Sequence, residues 1–128
     1  RSIPTNNPNR LIIDRALFVN VLRRVSVFAD AALGLAKLQL KNGELVVSTE
    51  NKDYSISAEE KVACNYTGDD LTIGFKASFL IEILNNISAT EVLVELSDPT
   101  RAGVILPLEN KENEDLLMLL MPMMLSDF

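Results

Sequence analysis

The stretch DRALFVNVLRRVS, residues 14–26, has a counterpart sixty-two residues later in KASFLIEILNNIS, residues 76–88. Leu17 aligns with Phe79, Phe18 with Leu80, Val19 with Ile81, Val21 with Ile83, Leu22 with Leu84, Val25 with Ile87 and Ser26 with Ser88. Polar positions also match: Asn20 with Glu82, and Arg23 and Arg24 with Asn85 and Asn86. The spacing of Leu17, Val21, Leu22 and Val25 is helical, with one apolar stripe and one polar face. A short apolar run precedes each copy, Leu11-Ile12-Ile13 and Leu71-Thr72-Ile73. The chain therefore reads as a duplicated unit, with halves of about 10–66 and 71–125.

Working outward from the first copy, Leu11–Ile13 is a short strand and Asp14 stands where a helix N-cap belongs. The helix is expected to reach about Phe28, with a turn over Asp30–Leu33. Ala36, Leu38 and Leu40 then alternate with Lys37, Gln39 and Lys41, the pattern of a strand with one wet face. Asn42-Gly43 predicts a tight hairpin into a return strand over Glu44–Glu50, because type I′ turns need positive φ at both central residues. After a turn at 51–53, Tyr54, Ile56 and Ala58 start a third strand, and Thr67–Asp70 breaks the halves apart. The second half repeats the order. It has a strand at Leu71–Phe75, a helix near Lys76–Ile87, and strands at Glu91–Leu96 and Ala102–Leu108. A turn at Ser97–Arg101 joins those two strands, and an acidic loop at Glu109–Asp115 precedes a final strand at Leu116–Met121. Each half is βαβββ, so the expected fold is α+β, with two helices packed on one face of antiparallel sheet.

With 128 residues, 48% of them hydrophobic, the chain has enough material for a single domain with a real core. Residues 1–9, with Pro4, Pro8 and three Asn, read as a linker, and the missing initiator Met suggests a piece of something longer. Histidine is absent, which removes the usual general base and the commonest metal ligand. A single cysteine, Cys64, permits no internal disulfide and fits a reducing compartment. No signal peptide is visible, and the longest apolar run, Leu116–Leu125, is too short to span a bilayer. The net charge of −6 argues against a dedicated nucleic-acid binder, although a total can hide a local basic face.

No catalytic motif appears: there is no GxSxG, GxGxxG, Walker loop, CxxC or HExxH. The acidic clusters Glu59-Glu60, Asp69-Asp70 and Glu112–Asp115 sit beside turn residues, where solvated charge is the default and acid–base catalysis is not expected. The polar helix faces offer Arg15, Arg23 and Arg24 on the first copy, and Lys76, Glu82, Asn85 and Asn86 on the second. Such faces suit either plain solvation or weak, sequence-independent contact with phosphates, and the residues alone do not separate these. All four methionines fall in LLMLLMPMML, residues 116–125. Leu116–Leu120 reads as a buried strand. Beyond Pro122, Met123, Met124 and Leu125 either plug a core or line an adaptable groove.

MPM-x-L at 121–125, IGFKASFLIEILN at 73–85, IPTNNPN at 3–9 and SDPTRAGVI at 97–105 together resemble the third domain of bacterial DNA polymerase III beta subunits, the sliding clamps. The resemblance covers essentially the whole chain, with residues 10–128 as the DNA-clamp domain, and agrees with the duplicated βαβββ reading. It implies a cytoplasmic, non-catalytic processivity factor without a cofactor or membrane anchor. In it, three such domains per subunit and two subunits form a homodimeric ring around duplex DNA. By that resemblance, Arg23, Arg24, Asn85 and Asn86 face DNA, and Val27 and Phe28 help join subunits. DNA polymerase III alpha and clamp-loader subunits insert short peptides into a groove formed by Arg1, Leu33, Phe79, Thr100, Ala102, Leu119 and Leu120, followed by Met121, Pro122, Met123, Met124 and Leu125. Phe79 departs from the Tyr often found there, Leu33 from an aromatic, and Ser126-Asp127-Phe128 extends past the usual terminal Leu. The competing reading is a small cytosolic α+β ligand-binding or enzymatic domain whose Met-rich C-terminus forms a pocket.

Overall fold

Asp14 ends the first strand and starts the first helix in one residue: its backbone is extended, and its carboxylate accepts the Leu17 N–H at 2.8 Å. In the computed structural model, which describes residues 8–28, 34–51, 56–108 and 118–123, that helix is α1 (Arg15–Ser26), preceded by β1 (Asn9–Asp14). Three strands follow, β2 (Leu35–Lys41), β3 (Glu44–Asn51) and β4 (Ile56–Ala63), and then a short β5 (Asn65–Thr67). The second half supplies β6 (Leu71–Lys76), α2 (Ala77–Asn85), β7 (Glu91–Leu96), β8 (Gly103–Pro107) and β9 (Met118–Leu120). The α+β class and the order of both copies are as the pattern predicts. Between β2 and β3, Gly43 adopts φ +77°, the left-handed backbone that the Asn42-Gly43 turn requires.

All strand pairs are antiparallel, and the strands divide into two sheets, ordered β5-β1-β7-β8-β9 and β4-β3-β2-β6. The halves are interlocked across this division. Strand β1 pairs with β7 through Leu11↔Val94 and Ile13↔Val92, while β6 pairs with β2 through Ile73↔Leu38 and Phe75↔Ala36. Each half thus lends its first strand to the other half's sheet. The helix starts are tied the same way: the Arg15 N–H donates to Thr90 O at 2.9 Å and the Ala77 N–H to Gly34 O at 2.8 Å. Even the trailing segments correspond, with β5 edging β1 and the Met123 N–H donating to Gly74 O of β6 at 2.7 Å.

The two helices pack against each other and against the strands, closing one core drawn from both halves. Phe18, Val21, Leu22 and Val25 of α1 meet Leu80 and Leu84 of α2 there, with Leu11, Leu38, Leu45, Ile73 and Leu96 from the sheets. The buried stripe is rotated from the expected one: Phe18 is inside and Leu17 is exposed, as is its repeat partner Phe79. Leu17 stands on the edge of the stripe centred on Phe18, Leu22 and Val25, and so falls outside the packed face.

Strand β4 runs on to Ala63, beyond the Tyr54, Ile56 and Ala58 alternation that announces it. Ala58, Glu60 and Val62 continue the inward alternation, and Arg24 of α1 supplies the partner that lets Glu60 stay in register. Strand β5, which the sequence pattern does not announce, exists because Tyr66 is buried opposite Leu11. The helices end earlier than predicted, with Val27, Phe28 and Asn86 in turns, and the last strand is described over Met118–Leu120 only. The expected linker over 1–9 (apart from its last two residues), the turn before Gly34, Tyr54 and the acidic loop over 109–115 lie outside the described residues.

Candidate functional site

Helix α2 carries two apolar stripes. Ala77, Leu80 and Leu84 face the core, while Phe79, Ile83 and the polar pair Glu82 and Asn86 recur at i, i+3, i+4 and i+7 on the adjoining face. Beside that face runs β9, held on β8 through Gly103↔Leu120 and Ile105↔Met118. Between them lies a cavity of about 360 Å³, lined by Phe75, Lys76, Phe79, Leu80, Glu82, Ile83, Asn86 and Met118–Met121. Its floor is formed by buried Phe75, Leu80 and Leu120, and its rim by Phe79, Leu119 and Met121, which are 61%, 47% and 69% exposed. Large apolar side chains this open around a concavity are the usual mark of a docking site. The Lys76 ammonium rests 5.0 Å from the Phe79 ring centroid, a cation–π contact that stations a positive charge on the rim.

Of the residues expected in a partner groove, Phe79, Leu119, Leu120 and Met121 are thus brought together. Pro122 and Met123 follow directly, half-buried, with Met123 pinned to Gly74. Ala102 immediately precedes Gly103, the register partner of Leu120, but does not line the cavity, and neither does Thr100. Thr100 is instead occupied locally, its N–H and hydroxyl both donating to Asp98 Oδ1, at 2.8 and 2.6 Å. Those bonds, and Arg101 beside them, hold the Asp98 carboxyl below its ordinary range. Arg1, Leu33, Met124 and Leu125 lie outside the described residues. Lys76, Glu82 and Ile83 were not expected in the cavity. Their signal in the sequence is the second helical stripe through Phe79, which the stronger core stripe masks.

The residues expected on the DNA-facing surface divide. Arg23, Arg24, Asn85 and Asn86 are all exposed on the paired helices. Arg24 makes a bidentate ion pair with Glu60 on β4, at 2.8 and 2.9 Å, which holds the Glu60 carboxyl below its ordinary value. Asn86 lines the α2 cavity, and its amide donates to Glu82 O at 3.0 Å. Arg15 leaves the polar face altogether. Its guanidinium donates to Ala89 O at 2.9 Å and Leu84 O at 3.3 Å, closing the C-terminal end of α2. Val27 and Phe28, expected at a subunit boundary, project from the end of α1 at 77% and 44% exposure.

Among the described residues, no group of three or more His, Cys, Asp or Glu side chains is placed to hold a metal ion, and no helix is long and apolar enough to cross a membrane. Burial and nearby Glu44 push the Cys64 thiol up, away from the reactive thiolate.

Known proteins give a single answer. Residues 1–124 match the family described as DNA polymerase III beta subunit, C-terminal domain. The chain is 29% identical over 125 residues to the beta sliding clamp of Pseudomonas aeruginosa, covering 98% of this chain and 33% of that protein. The beta sliding clamp of Treponema pallidum is also 29% identical, over 126 residues. Among solved structures, the DNA polymerase III subunit beta sliding clamp of Bartonella birtlesii superposes with a TM-score of 0.88 at 34% identity, covering 95% of this chain and 34% of that one. A Pseudomonas aeruginosa clamp bound to griselimycin gives 0.89 at 28% identity, with coverages of 96% and 32%. The chain spans about a third of the length of the curated relatives it matches. With the family matched almost end to end and the fold shared, this chain belongs to the DNA polymerase III beta subunit family, as its C-terminal, sliding-clamp domain.

Proposed function

We propose that the chain works as the third domain of a ring-forming replication clamp: a cytoplasmic, non-catalytic processivity factor that encircles duplex DNA and docks polymerase and loader subunits through short peptides. The observation that carries the reading is the α2–β9 cavity in a chain that matches the family over residues 1–124. It joins buried apolar floor to exposed apolar rim at residues the family resemblance assigns to partner docking. Two apolar anchors of a peptide buried there contribute about 1.5–3 kcal/mol each, enough for a weak, reversible grip on an extended segment.

The paired helices support the DNA-facing part of the reading. Arg23 and Asn85 are exposed on the paired helices of a domain whose total charge is −6, while the charge of the equally exposed Arg24 is already paired with Glu60. Contacts of this kind neutralise phosphate without reading bases, which sliding requires. Exposed Val27 and Phe28 support a homodimeric ring, as apolar groups left for a neighbour to cover. DNA polymerase III alpha and the clamp loader are the partners the groove is suited to.

The test is titration of a peptide rich in Gln, Leu and Phe, monitored by fluorescence anisotropy, against the wild type and against Phe79→Ala and Leu119→Ser. Both side chains are exposed, so the variants should fold. Binding weakened about tenfold or more in each is the expected outcome, in line with the loss of one buried apolar anchor. Unchanged affinity in both would remove the cavity from the docking site.

A further inference from the structure

Two opposite charges stand at the apolar cavity beside α2. Lys76 stands at the β6–α2 junction and Glu82 six residues further along α2, and both side chains line the same apolar cavity. Among the described residues, neither has an ion-pair partner, and neither takes part in the pairs that join Arg10 to Glu95, Arg24 to Glu60 and Arg101 to Asp98. Lys76 is held on the rim by the Phe79 ring beneath its ammonium. Asn86 bonds the Glu82 backbone carbonyl through its amide, which leaves the Glu82 carboxylate without a donor from the helix.

Resting on the reading of this cavity as a peptide groove, we infer that Lys76 and Glu82 form a charge-sorting pair that selects an extended peptide carrying an acidic and a basic side chain on either side of its apolar anchor. From Lys76, the N-cap residue, to Glu82 the rise along the α2 axis is about 9 Å, and an extended chain covers that distance in about three residues. The occupant therefore has its acid and its base about three positions apart, the acid toward Lys76 and the base toward Glu82. A peptide with only acidic flanks meets Lys76 but is repelled by Glu82, and one with only basic flanks suffers the reverse. The apolar walls supply affinity, and the two rim charges supply direction and choice. The pair lies on the α2 side of the cavity, across from Met118–Met121, so the footprint of a bound peptide extends along the helix.

The experiment uses the 128-residue chain and two end-blocked peptides, one with an Asp-Leu-Leu-Lys core and one with the neutral core Asn-Leu-Leu-Gln, titrated by NMR. At about 20 mM salt the charged peptide is expected to bind about two- to five-fold more tightly, the range of exposed ion pairs. The difference should vanish near 1 M salt, where the screening length falls to about 3 Å. Lys76→Gln and Glu82→Gln should each lower the ratio of charged-peptide to neutral-peptide affinity, whatever either does to the binding of the neutral peptide itself. Equal binding of both peptides to the wild type overturns the inference while leaving the groove intact. A charge preference that survives both substitutions overturns it as well. If neither peptide perturbs the α2 and β9 resonances, the groove reading falls and this inference falls with it.

Discussion

Tyr66 is the largest fully buried side chain, and its hydroxyl donates to Asp69 O at 2.5 Å, tying β5 to the turn that separates the halves. Burial, reinforced by the carboxylates of Asp69 and Asp70, pushes its phenol up to about 12 from an ordinary value of 10.0. The unfolded chain therefore gives up this proton before the folded one does. Its contribution to stability is complete below pH 10 and is lost as pH rises from 10 to about 12. Tyr66→Phe should be less stable than wild type at pH 8, by about 0.5–1.5 kcal/mol for the missing hydrogen bond, and the gap should close above pH 10. Urea midpoints of both proteins from pH 8 to 11.5 measure this, and a gap independent of pH would refute it. Close by, Asn9 is buried with its amide donating to Ser97 O and its carbonyl accepting the Asp69 N–H, both at 2.9 Å. Gly68, at φ +133°, passes so close that any Cβ there would collide with Asn9. Nothing in the composition of Pro8-Asn9-Arg10 announces this role, because every partner is more than fifty residues away.

At the scale of elements, the helices are stabilised differently. Helix α1 has a side-chain cap at Asp14, whereas Lys76 gives α2 none and its first N–H depends on Gly34. The C-terminal end of α2 depends in turn on Arg15, whose cation meets the Leu84 carbonyl at the negative end of the helix and the Ala89 carbonyl just beyond it. Arg15→Met keeps the aliphatic stem and removes both bonds. It should lower stability by about 1.5–3 kcal/mol, read from urea denaturation, and hasten hydrogen exchange at the end of α2. A change comparable with that of Arg23→Met, an exposed neighbour, would show that the contact contributes nothing. The repeat itself was legible in the periodicity, as were the α1 cap and the Asn42-Gly43 turn. The cavity was half legible: the C-terminal Met-Pro-Met signature pointed to one wall, and the second stripe of α2 was hidden behind the core stripe.

For the molecule as a whole, the exchange of first strands makes neither half self-sufficient. Without β7, β1 keeps only the three-residue β5 as a neighbour, and without β2, β6 keeps only the Met123 bridge. The core is likewise one cluster drawn from both helices and both sheets. Polypeptides 1–69 and 70–128, made separately, should show no cooperative thermal transition, and mixing them in equal amounts should restore one, followed by circular dichroism. A half that folds cooperatively as a monomer would contradict the interlocked core.

The sequence alone determined what depends on neighbours along the chain: two amphipathic helices, alternating strands, one obligatory tight turn, and a repeat whose copies match position by position. The family signature followed from the same local strings. Only the tertiary structure decided how the strands divide between two sheets, that Arg15 faces a helix end and Arg24 a carboxylate, and that α2 shares its outer face with β9. The physical reason is that periodicity fixes which face of an element is apolar, while pairing between distant segments is chosen by packing across the whole core. Lys37 and Lys76 both follow an apolar residue near a strand, yet only Lys76 lines the cavity.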